Sequence, residues 1–112
     1  MMQYKIFQLE NIRETDYGFM PWSFARDHGF SISDYREVYS GNIDQIKRDP
    51  STPLYLEAIF RDFNINRPSD FRGHSLSVSD IVAIKRFPER EFWNYYYCDS
   101  FGWEDVTRSV NE

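Results

Sequence analysis

Residues 4–9 alternate between two directions: Tyr4, Ile6 and Gln8 one way, Lys5, Phe7 and Leu9 the other. A period of two predicts a β-strand. Apolar side chains in both directions place it inside a sheet or under cover on both sides. Asp16-Tyr17-Gly18 predicts a turn. Pro21 suits the first turn of a short helix through Trp22, Phe24, Ala25 and His28, with Gly29 as its stop. Residues 31–34 read as a turn, and residues 35–39 as a second strand ending at Ser40-Gly41.

The clearest helical pattern follows. Thr52 suits an N-cap and Pro53 the first helical position. Leu56, Ile59, Phe60 and Phe63 then recur on one stripe, with Glu57, Arg61 and Asp62 off it. Asn64 is expected to close the helix in a left-handed conformation, and Pro68 to prevent its resumption. Residues 81–87 and 91–99 are β-rich and face each other across Pro88-Glu89-Arg90, so they predict an antiparallel hairpin. Ser100-Phe101-Gly102 is a further turn. Residues 103–106 suit a short strand or the lead into a final helical turn, and residues 108–112 a fraying C-terminal tail. The expected architecture is a small α+β domain over residues 1–107, mainly antiparallel sheet with one or two helices packed on one face.

Composition narrows the options. The 112 residues include three Trp, eight Tyr and ten Phe, 19% of the chain. That supplies core material and excludes disorder as a description of the whole. Thirteen Lys+Arg against 18 Asp+Glu leave a net charge of −5. Direct nucleic-acid binding is not expected, because the basic group Lys85, Arg86 and Arg90 is interrupted by Glu89 and Glu91. Imitation of DNA is no better supported, since no acidic run exceeds two residues. No apolar stretch is long enough to enter a membrane as a spanning helix. Cys98 is alone, which rules out an intrachain disulfide and a multi-cysteine zinc site. Its strand-like setting reads as core packing. With an amino terminus lacking a basic start and an apolar stretch, this points to the cytoplasm.

The densest polar chemistry lies between residues 66 and 80, where Arg67, Arg72 and His74 sit among three alternating serines and Asp70 and Asp80. Arg72 and His74 at the mouth of an anion or carboxylate site, with serine hydroxyls as donors, is one reading. A loop whose Ser and Asp side chains satisfy its own backbone is the other. On the loop reading Leu76 and Val78 point inward, and Ser75, Ser77 and Ser79 outward. His74 with Asp99 or Asp80, plus a serine, would be the material of a hydrolase, but no nucleophile elbow surrounds any serine. Phosphate-loop and dinucleotide fingerprints are absent, and His28 and His74 are far apart, so neither a cofactor nor a metal is expected. In the run Tyr95-Tyr96-Tyr97, alternation sends one set to the core and leaves the other, beside Trp93, for a binding surface. The candidate binding residues are therefore Arg72, His74, Ser75, Ser77, Asp80, Trp93, Tyr95, Tyr97 and Asp99, with none assigned a catalytic role.

Residues 63–82 (Phe-Asn-Ile-Asn-Arg-Pro-Ser-Asp-Phe-Arg-Gly-His-Ser-Leu-Ser-Val-Ser-Asp-Ile-Val) resemble the signature of the YodL-like domain family. Residues 96–103 (Tyr-Tyr-Cys-Asp-Ser-Phe-Gly-Trp) resemble its second motif, an aromatic strand ending in Asp-Ser-Phe-Gly. Residues 4–9 and 35–41 also fit, so the resemblance spans nearly the whole chain. Cys98 departs from a more usual aliphatic residue, and Pro88 from a glycine-containing reversal. The resemblance implies a bacterial protein, often carried on mobile genetic elements beside antirestriction-type domains, and it carries over no catalytic positions. Together these readings predict a non-catalytic accessory protein that contacts a protein partner, such as a host or defence component. The alternatives are a small hydrolase or transferase built on a His–carboxylate pair, and a nucleic-acid-related antirestriction factor.

Overall fold

The computed structural model describes residues 3–42, 52–65, 69–71, 73–87 and 89–111, and within helix 52–65 the side chains of 56, 57, 59–61, 63 and 64. The elements in chain order are β1 (Gln3–Leu9), α1 (Trp22–Asp27), a 3-10 turn (Ile32–Asp34), β2 (Tyr35–Asn42), α2 (Thr52–Ile65), β3 (Ile81–Lys85), β4 (Asn94–Cys98), β5 (Trp103–Asp105) and α3 (Thr107–Val110). The strands form one sheet in the order β2-β1-β3-β4-β5, with every neighbouring pair antiparallel. The chain is thus α+β and mainly sheet. Since β2 and β3 both run against β1, they run parallel to each other, and the crossover between them carries α2.

The two-faced pattern of β1 has a direct structural meaning. Tyr4 and Ile6 enter a cluster with Leu56, Ile59 and Phe63 of α2, together with Leu76, Val82 and Ile84. Leu9 enters a second cluster with Tyr17, Ala25, Tyr35, Ile81, Tyr97 and Val106, against which Phe7, Trp22 and Val110 pack. Val82 pairs with Ile6 and Ile81 with Phe7, so the two clusters occupy opposite faces of the sheet. α2 covers the first face, as its stripe predicts. The segment from Tyr17 to Tyr35 and α3 cover the second, giving the aromatic surplus a place in two half-cores. All five residues of β3, the middle strand, are buried.

Local geometry explains the end of α1 and the course of β2. Gly29 has φ +81, and Phe30 N–H donates to Ala25 O at 3.1 Å, the six-to-one bond of a Schellman motif that ends α1. β2 runs to Asn42 and absorbs a bulge opposite Ile6 and Phe7, leaving Val38 as the extra residue.

Some expectations are corrected. Asn64 does not cap α2 in a left-handed conformation: it lies inside the helix, and its amide donates to Leu76 O at 3.2 Å. The hairpin reversal is wider than Pro88-Glu89-Arg90, spanning residues 86–93, because β3 stops at Lys85 and β4 starts at Asn94. Residues 108–110, read as tail, belong to α3, and Val110 N–H donates to Val106 O at 3.0 Å. Among the described residues, no helix is long and apolar enough to cross a membrane.

Candidate functional site

The two motif segments meet at one end of the sheet, beyond the last residues of β1 and β4. Ser79 N–H donates to Cys98 O at 2.9 Å and Cys98 N–H to Asp80 O at 2.8 Å, so residues 79–80 and 98 are laced together through their backbones. Ser79 is fully buried with φ +87, a left-handed conformation that costs an L-residue about 1–2 kcal/mol. Its remaining polar atoms are also engaged. Tyr35 Oη donates to Ser79 O at 2.6 Å, and Phe19 N–H donates to Ser79 Oγ at 3.1 Å. Phe19 is itself left-handed, with φ 63. The two strained residues thus hold each other.

Beside this lock, Gln8 clamps the loop. Its Nε2 donates to His74 O at 2.8 Å and to Asp80 Oδ2 at 3.1 Å, while its Oε1 accepts His74 N–H at 3.2 Å. Asp80 Oδ2 also accepts Ser77 N–H at 3.0 Å, whereas Oδ1 is buried without a hydrogen-bond partner. Burial pushes the Asp80 carboxyl up to about 7, against the smaller opposing pulls of the Ser77 N–H, the nearby His74 and the Gln8 amide. A Cβ on Gly73 would run into Gln8 Oε1 and meet the Phe71 ring at 2.9 Å, so the clamp needs glycine at that position.

The candidate residues divide on inspection. His74 and Ser75 are exposed, Ser77 is half-buried, and Asp80 is fully buried. Arg72 lies outside the described residues. Ser79 was expected to point outward with Ser75 and Ser77; it is instead a buried strut, because its left-handed backbone breaks the alternation. Tyr97, proposed for the binding surface, is fully buried, and its hydroxyl donates to Met20 O at 2.6 Å. It packs on Trp22 with ring centroids 5.2 Å apart and is a core residue. Tyr95 is half-buried beside Phe7, 6.2 Å between ring centroids. Trp93 sits at the opposite end of the sheet, with Lys5 Nζ 4.8 Å from its ring centroid. The residues named from sequence therefore do not form one surface.

No described contact joins His74 to a carboxylate in the way an acid–base pair requires. Its Nδ1 lies 2.8 Å from Ser75 O and 3.3 Å from Gln8 Nε2, so it is engaged by the loop and the clamp. Gln8 stands between the ring and Asp80. Asp99 Oδ1 accepts Trp22 N–H at 3.2 Å and Ser100 N–H at 2.8 Å, binding α1 to the last turn. Cys98 is buried and its thiol is pushed up to about 12, first by burial and then by the Asp80 charge. A thiol held there is not a nucleophile at neutral pH.

Sequence reading missed Gln8 and Phe101. Gln8 was legible as the one amide at an inward position of an apolar strand. Phe101 is 97% exposed at the tip of the Asp-Ser-Phe-Gly turn, which closes with Asp99 N–H donating to Gly102 O at 3.0 Å. Phe19, at the same end of the sheet, is also exposed.

The Ser79 lock has a measurable signature. Ser79→Ala keeps the left-handed strain and removes the acceptor of Phe19 N–H, whereas Ser79→Gly removes both the acceptor and the strain. Urea unfolding should find the alanine variant less stable than the glycine variant by about 1 kcal/mol, the reverse of the usual order. The usual order at this position would remove the strain assignment.

No curated protein and no solved structure matches the chain. The family comparison is positive and nearly complete: the model of the YodL-like domain matches residues 3–108, taking in both motif segments, the clamp and the lock. The chain belongs to the YodL-like domain family.

Proposed function

We propose that the protein is a non-catalytic interaction module, an accessory factor of a bacterial mobile genetic element that acts in the cytoplasm on a host or defence protein. One observation carries the reading. The two family motifs are tied backbone to backbone, and the buried clamp and lock hold a platform that presents Phe101, Phe19 and His74 outward. An exposed aromatic on a rigid turn offers large contact area at low entropic cost, the property of an interface anchor. Beneath it Gln8, Tyr35, Ser79 and Asp99 are engaged in structural hydrogen bonds. The mobile-element setting comes from the family resemblance.

The test is quantitative capture from a bacterial lysate with the wild-type protein, Phe101→Ser and His74→Ala, each first shown to fold by circular dichroism. A specific partner should be retained by the wild type and lost at least about tenfold with Phe101→Ser, as expected for a central anchor. A partner that survives both substitutions moves the binding surface elsewhere and overturns the reading.

A further inference from the structure

At the other end of β4 the β3–β4 loop forms a second feature, which neither the family motifs nor the clamp explains. Arg86, Phe87, Arg90, Phe92 and Asn94 line a cleft of about 220 Å³. Phe87 and Phe92 are 52% and 55% exposed, an unusual pair on one loop of an otherwise well-packed domain. The Arg90 guanidinium lies 5.3 Å from the centroid of the Phe87 ring, and Arg86 Nη2 donates to Tyr96 Oη at 3.4 Å. Both cations are thereby placed beside aromatic walls. Glu91 is taken by Lys85 at 3.2 Å. With Lys85 and Glu91 cancelling each other, Arg86 and Arg90 against Glu89 leave the surroundings of the cleft positive in a chain whose net charge is −5.

We propose that the cleft receives the Phe101 turn of a second copy of this chain. The turn carries what the cleft lacks. Phe101 projects an uncovered phenyl ring, and Asp99, Glu104 and Asp105 lie within four residues of it in sequence, the last two exposed. A cavity of about 150 Å³ is known to take a benzene ring, so the volume suffices for one phenyl group. Phe101 would enter between Phe87 and Phe92, while the guanidiniums of Arg86 and Arg90 face the carboxylates around the turn.

The topology makes the contact intermolecular. Asn94 begins β4 next to the cleft, and Cys98 ends it next to the turn. Knob and cleft therefore lie at opposite ends of one strand and cannot meet within a molecule. One such contact uses the knob of one copy and the cleft of the other, so the pair keeps one free knob and one free cleft. These either meet each other in a closed two-fold pair or carry the contact on to a third copy. This inference is independent of the foreign partner proposed above, although the two would compete for Phe101.

Sedimentation velocity on the full chain, from low to high micromolar concentration, tests it with Phe101→Ser as the knob-less variant and Arg90→Glu as the cleft variant. Both substituted residues are exposed, and Phe92→Ser serves as a second cleft variant should Arg90→Glu fail to fold. The wild-type weight-average mass should rise to that of a dimer or beyond and fall back on adding salt. Each variant alone should stay monomeric. Mixed in equal amounts they should stop at the dimer, because one contributes only a cleft and the other only a knob. A monomeric wild type overturns the proposal. So does a variant that associates alone like the wild type, or a mixture that stays monomeric while the wild type associates. A monomeric wild type that captures a foreign acidic protein through Arg90 gives the cleft a different occupant, and also overturns it. Failure of lysate capture leaves this result untouched, so the two readings fail separately.

Discussion

Phe63→Ala should destabilise the protein by about 3–5 kcal/mol, the range for removing a buried aromatic from a core that relaxes only partly. Phe63 is 1% exposed, and its ring meets Phe71 at 4.8 Å, Tyr39 at 5.0 Å and Tyr4 at 6.2 Å between centroids. Those three partners come from the loop after α2, from β2 and from β1. One truncation thus loosens α2, an edge strand and an inner strand together. Phe60→Ala is the internal control. Phe60 is only half-buried and meets Trp103 edge-on at 6.2 Å, so its loss should cost clearly less. Chemical denaturation of both variants checks the order. Equal losses would show that α2 is not anchored through Phe63.

The contrast between these two phenylalanines shows what a sequence pattern can convey. The spacing of Leu56, Ile59, Phe60 and Phe63 selects the buried stripe of α2, but it does not rank the residues within it. Rank depends on what arrives from elsewhere, and Phe71 and Tyr39 are not helix neighbours. The two-sided pattern of β1 was legible for a related reason: a strand apolar in both directions has to be covered on both faces. Tyr97 shows the limit of the same argument. Alternation separates it correctly from Tyr96, yet cannot say which face of β4 is water, and here the segment from Tyr17 to Tyr35 covers the Tyr97 side. At the candidate site the gap is wider. The serine-rich loop was visible as a dense polar segment, but its order comes from Gln8, 66 residues from His74 in sequence. Alternation points Ser79 outward because it assumes extended backbone, and a left-handed residue breaks that assumption. The Phe101 turn was legible as a turn. Its exposure was not, because a phenylalanine in a turn looks the same in sequence whether it packs or projects.

Raising the pH from about 4 to about 7 should remove stability that Asp80 contributes, and Asp80→Asn should abolish that part of the profile. The folded carboxyl is pushed up to about 7, while its ordinary value in an unfolded chain is 3.8. Between those values the folded protein binds a proton that the unfolded chain does not, so folding is favoured by acid over this window. The contribution is fully present below about 4, declines as the pH climbs, and is gone above about 7. A gap of this size corresponds to a few kcal/mol. The cause is structural: Oδ2 accepts from Gln8 and Ser77, but Oδ1 is buried with no partner to stabilise the anion. Other carboxylates change the total in their own ways, which makes the difference between proteins the informative quantity. Asparagine keeps an oxygen for the Gln8 and Ser77 donors and carries no charge at any pH. Relative to the wild type, Asp80→Asn should therefore gain stability by a few kcal/mol on passing from pH 5 to pH 8, read from urea midpoints at matched ionic strength. Parallel profiles would mean that Asp80 ionises inside the fold without penalty. The loop that carries His74 would then be held by an ordinary solvated carboxylate, and the clamp would lose the feature that makes it sensitive to pH.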